Sequence, residues 1–272
     1  MYIEVNGKQV FATTGGKPFD CARPVVVFLH GAGGDHTVWN LQSRFFAFRG
    51  YSVLAPDLPG HTNSAGPPLA SIEAMADWLN DVLEALDCRN VSFVGHSMGC
   101  LVGLELGSHD PARLRSLSLI ASGLATPVND ALLGAAKNNP DAAISMMTSW
   151  GFGAAGHYSR GPVPGNAMIA AGQMVMRGNT PDALHADLSA CNNYANGAEA
   201  ALLVKPHVQV IVADNDRMAP KKATDKLIAQ LPNPEVAVIA DCGHMVPQEA
   251  PNRCRKLLRD FIFKHNPATQ GS

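Results

Sequence analysis

The stretch Val91-Ser-Phe-Val-Gly95-His96-Ser97-Met98-Gly99-Cys-Leu-Val-Gly-Leu-Glu-Leu-Gly-Ser108 decides the reading of this chain. Val91 to Val94 is a short, mostly apolar run that predicts a strand, and Met98 to Ser108 predicts a helix. Ser97 therefore falls on a strand-to-helix turn so sharp that side chains two residues to either side would collide. Glycine stands at both of those positions, 95 and 99. A helix opening at Met98 aims its free N–H groups and the positive end of its dipole at charge forming beside the serine. Ser97 is thus a candidate nucleophile.

A serine hydroxyl needs a base, and the base needs a third group to hold it. Among ten histidines, His244 lies in Asp241-Cys-Gly-His-Met-Val-Pro-Gln-Glu-Ala-Pro251, a loop between a predicted strand, Glu235 to Ala240, and a predicted helix, Pro251 to Lys264. For the acid, a strand at Val208 to Ala213 runs into Asp214-Asn-Asp216-Arg-Met-Ala-Pro220. Both aspartates are open; Asp216 is favoured because it stands in the loop proper, whereas Asp214 at the strand end is placed to shape the turn. The order is Ser, Asp, His, with 216 − 97 = 119 residues to the acid and 244 − 216 = 28 from acid to base.

Acyl transfer also requires donors aimed at the developing oxyanion. His30-Gly-Ala-Gly-Gly34 leaves the predicted strand Val25 to Leu29, and the N–H groups of Ala32 and Met98 are the expected pair, with Gly33 as the substitute for Ala32. The loop lacks the GxGxxG spacing of a dinucleotide site and no acidic ribose partner is evident. His30, His61 and His96 are expected to hold their own loops, while His36 and His157 are candidates for a pocket wall. No histidine pair has metal-ligand spacing, so neither metal nor cofactor is expected.

Around these motifs the chain alternates strand and helix patterns. Tyr2 to Val5 and Gln9 to Ala12 flank Asn6-Gly7 as a hairpin, Ser52 to Ala55 and Leu114 to Ala121 are further strands, and Ile72 to Leu86 has helical spacing with Ser71 as its cap. From Thr126 to Leu203 no strand is predicted; helical patches cover 130–137, 142–150 and 167–176. The alternation then resumes, with a further helix at Pro220 to Gln230. Repeated β–α units imply a mostly parallel sheet with helices on both faces. The expected division is a core at 1–125 and 204–272, interrupted by a helical lid at 126–203.

Composition narrows the partners. Net charge is −2 with only 16% charged residues and no basic block, which points away from nucleic acid. The six cysteines form no CxxC pair and are expected to be free; Cys242 is the one nearest the chemistry. The N-terminal segment lacks a signal-peptide pattern and no run suits a membrane span, so a cytoplasmic protein is expected, as monomer or homodimer.

The chain resembles the α/β-hydrolase fold family, through HGAGGDHTVW (30–39), APDLPGHTNS (55–64), VGHSMG (94–99), ADNDRMAP (213–220) and DCGHMVPQEAP (241–251). The resemblance implies an eight-stranded, mostly parallel sheet, a Ser97–His244–Asp216 triad and the Ala32/Met98 oxyanion hole. Thr62 departs from the second glycine of the family's D-x-x-G-x-G-x-S loop. Serine at 97 argues against epoxide opening and halide displacement, which use aspartate there. The expected activity is hydrolysis of a small to medium, mostly apolar carboxylic ester, with Trp150, Met147, Met245, His36 and Gly33 as candidate substrate contacts. Met146, Phe152, Met168, Met174 and Met176 serve either lid packing or an apolar pocket. The alternatives are a lactonase or a C–C hydrolase of a dienoic diketo acid, whose anionic substrate needs an arginine such as Arg160 or Arg177, and a non-catalytic ligand receptor.

Overall fold

Val25–Leu29 forms strand β3, and all five of its side chains are buried, as expected of a strand covered on both faces. In the computed structural model, which describes residues 1–157, 165 and 167–268, this strand lies near the middle of an eight-stranded sheet. The others are β1 (Tyr2–Val5), β2 (Lys8–Thr13), β4 (Ser52–Pro56), β5 (Val91–His96), β6 (Leu114–Ile120), β7 (His207–Ala213) and β8 (Glu235–Ile239), in the order β1-β2-β4-β3-β5-β6-β7-β8. From β4 to β8 the neighbours are parallel; β1 and β2 add an antiparallel edge. The β1–β2 hairpin turns at Asn6 and Gly7, which take φ of 51° and 72°, the left-handed pair that an Asn-Gly turn supplies.

Helices α1 (Asn40–Ala47), α2 (Ile72–Ala85) and α3 (Met98–His109) accompany the first strands. Ser71 caps α2, its Oγ accepting from Ala74 N at 3.1 Å, and the 3.6-residue stripe Ile72, Met75, Leu79, Val82, Leu83 faces the sheet. The described part of the segment between β6 and β7 is helical: α4 (Asp130–Asn138), α5 (Pro140–Gly151), α6 (Ala154–His157), α7 (Met168–Arg177), α8 (Ala183–Asn193) and α9 (Gly197–Leu203). After β7 come α10 (Lys221–Gln230), α11 (Val246–Glu249) and α12 (Pro251–His265). One core layer packs α2, α3 and α10 on one face of the sheet, and a second packs α1 and α12 on the other.

Helices α8 and α9 are absent from the sequence-based expectation. Helix α8 buries an acid, Asp187, among Leu184, Leu188 and Cys191, and so breaks the apolar stripe that periodicity detects. The segment also has its own small core of Leu132, Ala136, Ala143, Ile144, Met147, Leu184 and Leu188, against which Ala32 and Met218 of the sheet edge pack. Among the described residues no helix is long and apolar enough to cross a membrane.

Candidate active site

Ser97 has φ 54° and ψ −118°, a conformation that costs a non-glycine residue of order 1–3 kcal/mol unless its surroundings impose it. They do. A Cβ on Gly95 would stand 2.5 Å from Gly99 O, and one on Gly99 would stand 2.6 Å from Leu29 O. Ser97 N donates to Ile120 O at 3.0 Å, tying the turn to β6. The buried Cys100 thiol lies 3.1 Å from Gly95 O and accepts from Ile120 N at 3.1 Å, so this thiol braces the turn. Burial pushes the Cys100 thiol up to about 12, which keeps it protonated.

His244 Nδ1 lies 2.8 Å from Asp216 Oδ2, and both side chains are buried. The other carboxylate oxygen accepts from Met218 N and Ala219 N, each at 2.8 Å. Burial alone would raise the Asp216 carboxyl, but the imidazole and these N–H donors outweigh it and hold it below its ordinary value. An ionised carboxylate only accepts, so His244 Nδ1 carries a proton. Asp214 instead accepts from Cys242 N at 3.2 Å, at the turn.

Further contacts hold the His244 loop. His96 Nε2 donates to His244 O at 2.8 Å; burial, then the neighbouring imidazole, depress His96 to about 3 and keep it neutral. His244 N donates to Gly151 O at 2.9 Å, at the end of α5. Glu249 accepts from Gly153 N at 2.9 Å and from Gly243 N and Met245 N at 3.1 Å. Burial raises the Glu249 carboxyl despite these donors. The His244 loop is thus fastened to the helical segment as well as to the sheet.

The glycine-rich loop is fastened in the same way. Gly33, at φ 65°, donates its N–H to Asp187 Oδ2 at 2.8 Å, and its carbonyl accepts from Asn179 Nδ2 at 2.9 Å. Gly34 N donates to Gly31 O, whereas the Ala32 N–H has no acceptor among the described residues. Gly33 is therefore not free to substitute for Ala32. His61 completes the junction: Nε2 lies 2.9 Å from Asp187 Oδ2 and Nδ1 3.1 Å from Pro59 O. Both ring nitrogens face acceptors, and although burial opposes it, the Asp187 carboxylate raises His61 above its ordinary value. Thr62 takes φ 38° in this loop, with its Oγ1 3.1 Å from both Asp35 Oδ2 and Asn179 Oδ1, which accounts for a β-branched residue where glycine is usual.

Ser97 and His244 face one cavity, about 580 Å³ in empty volume, walled by Val38, Phe152, Val175, Met176 and Met245, with Gly33 at its edge. No hydrogen bond joins Ser97 Oγ to the imidazole, as is common before substrate binds. A second space of about 640 Å³ also reaches Ser97 and is lined by Leu132, Trp150, Leu188 and Arg217. Ala32, Met147 and Met218 border both. Met245 and Gly33 line the first space, Trp150 the second, and Met147 both. His36 lines neither space: Asp57 Oδ1 takes its ring Nδ1 and its backbone N–H, both at 2.8 Å. His157 reaches Ser149 O and is exposed. Arg177 pairs with Asp141 away from both spaces, and Arg160 lies outside the described residues. Of the methionines, Met168 is buried and Met174 is exposed, while Met147 and Met176 line cavity walls.

Residues 26–257 match the Alpha/beta hydrolase family. The chain is 30% identical over 264 residues to a pimeloyl-[acyl-carrier protein] methyl ester esterase of Aromatoleum aromaticum, covering 88% of this chain and 98% of that protein. It is 26% identical to protein ABHD8 of Bos taurus over 88% of this chain, but spans only 56% of that relative's length. A solved thermophilic esterase superposes with a TM-score of 0.82 over 97% of each chain, at 25% identity. The strand order, the turn at Ser97 and these matches together place the chain in the α/β-hydrolase family.

Proposed function

We propose that this chain is a serine esterase that cleaves a carboxylic ester through an acyl-enzyme on Ser97. One observation carries the reading: a serine held at φ 54° opens onto the same cavity as an imidazole whose far nitrogen is bound to a buried carboxylate at 2.8 Å. In the first half-reaction His244 Nε2 takes the Ser97 proton while Oγ bonds to the carbonyl carbon. The N–H groups of Ala32 and Met98 receive the oxyanion, and Asp216 stabilises the imidazolium. The carbon–oxygen bond to the alcohol then breaks, and His244 passes its proton to the departing oxygen. In the second half, water loses a proton to His244 and attacks the acyl carbon; the Ser97–carbonyl bond breaks, Oγ regains the proton, and the acid leaves.

The likeness to an esterase at 30% identity over nearly the full length of both chains supports ester over carbon–carbon cleavage. The carbon–carbon reading drew on an arginine of the helical segment, and Arg177 is engaged by Asp141. We read that segment as a lid over Ser97, since Met147, Trp150, Phe152 and Met176 wall the two spaces. The test is turnover of p-nitrophenyl acetate, butyrate and octanoate by the wild type and by Ser97→Ala. Wild-type turnover lost at least 10⁴-fold in the variant is expected. No wild-type turnover refutes the esterase, and turnover surviving in Ser97→Ala refutes the mechanism.

A further inference from the structure

The two spaces that meet at Ser97 differ in chemistry, and His244 decides which part of an ester enters each. His244 lines the first space and not the second. The alcohol oxygen must receive its proton from His244, so on the reading above the alcohol departs through the first space. The acyl carbon stays on Ser97 and its chain runs into the second. The alcohol side is walled by Val38, Phe152, Val175, Met176 and Met245, all apolar.

The acyl side is lined by Leu132, Trp150 and Leu188, by the polar Thr126 and Asn129, and by Arg217, whose side chain is exposed where this space meets solvent. Arg217 is the one charged residue of that lining. Its guanidinium has no hydrogen bond or ion pair among the described residues, although aspartates stand nearby. Asp216 is committed to His244, Met218 and Ala219. Asp214, which borders a separate outer depression with Asp241 and Arg217, holds Asn215 and Cys242 N. Asn129 stands in the same lining; its Oδ1 caps α4, and its amide hydrogens have no partner among the described residues.

We infer that the acyl part of the substrate ends in a carboxylate, so that the natural substrates are monoesters of aliphatic dicarboxylic acids with an apolar alcohol. The guanidinium fork fits a carboxylate with two parallel N–H···O bonds, and a paired charge of this kind discriminates against an uncharged terminus.

The inference rests on the esterase reading, and one experiment separates their failures. The mono-p-nitrophenyl esters of adipic and suberic acid are compared with neutral p-nitrophenyl hexanoate and octanoate, on wild type, Arg217→Gln, Arg217→Lys and Ser97→Ala, at low and high salt. The expected wild-type result is a kcat/KM at least tenfold higher for the carboxylate-ended member of each pair, falling with ionic strength. Arg217→Gln is expected to bring that ratio near one and Arg217→Lys to keep part of it. Each ratio is read within one preparation, so a variant that folds incompletely still reports it. Hydrolysis of the neutral esters without a wild-type preference for the charged ones overturns the inference alone. A preference that survives in Arg217→Gln also overturns it, and no turnover of any ester overturns the esterase reading and the inference together.

Discussion

Replacing Asp187 by alanine tests how the helical segment is bound to the surroundings of Ser97. One oxygen of this buried carboxylate accepts both the Gly33 N–H at 2.8 Å and His61 Nε2 at 2.9 Å, across 154 and 126 residues of sequence. His61 is itself buried and offers its second nitrogen to Pro59 O, so the ring carries both protons and a positive charge. Removing one partner of a buried ion pair costs about 3–5 kcal/mol, because the remaining charge is left in the interior. In a chain of this size each kcal/mol moves the melting temperature by roughly 2–4 °C, so the variant is expected to melt on the order of 10 °C lower. The sign with pH follows from the raised His61 pKa. Its contribution is fully present below the unfolded histidine value near 6.5 and is lost as pH rises through the folded value. Wild type should therefore shed part of its stability on that alkaline side, and Asp187→Ala should not. Thermal unfolding followed by circular dichroism between pH 5.5 and 9 measures both, and the double variant Asp187→Ala with His61→Ala should lose less stability than the sum of the single changes. A loss under about 1 kcal/mol, or an unchanged pH slope, refutes the charged pair.

Two further predictions concern the frame around Ser97. His96→Phe keeps the ring packed between Trp39 and His244 but removes one of the two donors to His244 O, the other being Val246 N at 2.9 Å; loss of one hydrogen bond should cost about 0.5–1.5 kcal/mol, and displacement of the His244 loop should lower kcat more than it raises KM, measured on a p-nitrophenyl ester. Gly99→Ala sets a methyl group 2.6 Å from Leu29 O and 2.8 Å from His30 O, which should destabilise the fold by about 3 kcal/mol or more in urea titration and abolish turnover.

The parts of this chain legible in sequence are those specified by neighbours in sequence. Val25–Leu29 reads as a covered strand because five consecutive side chains lack polar atoms, and the turn at Ser97 reads from glycines two residues away on either side. Asp216 and His244 read from their positions just past strand ends. What escaped is held by distant partners. His36 looked free to face a pocket until Asp57, 21 residues on, took both of its donors. Glu249 was visible in the His244 loop, yet its three N–H partners include Gly153, 96 residues away. Asp187 gave no local signal, because an acid on a helix ordinarily faces water. Cys100 read as an idle thiol, and its work is done on Gly95 and Ile120, which only folding brings to it.

The place where the helices enter has a consequence for how this chain can change. The segment departs after Ile120 and returns at His207, a gap of 207 − 120 = 87 positions between strands that pair directly in parallel. Closing such a gap costs entropy that grows only with the logarithm of its length, about 0.6 kcal/mol for each doubling. Exchange of the whole segment for a shorter or longer one therefore leaves the pairing of the two strands almost untouched. What a replacement must still deliver includes an acceptor for the Gly33 N–H and for His61, a carbonyl for the His244 N–H, a backbone donor to Glu249, and donors to the buried Glu105 in place of Tyr194 and Asn196. These sockets, with the core places of Tyr194, Ala200 and Val204, are what an exchanged segment has to match before the walls over Ser97 can change.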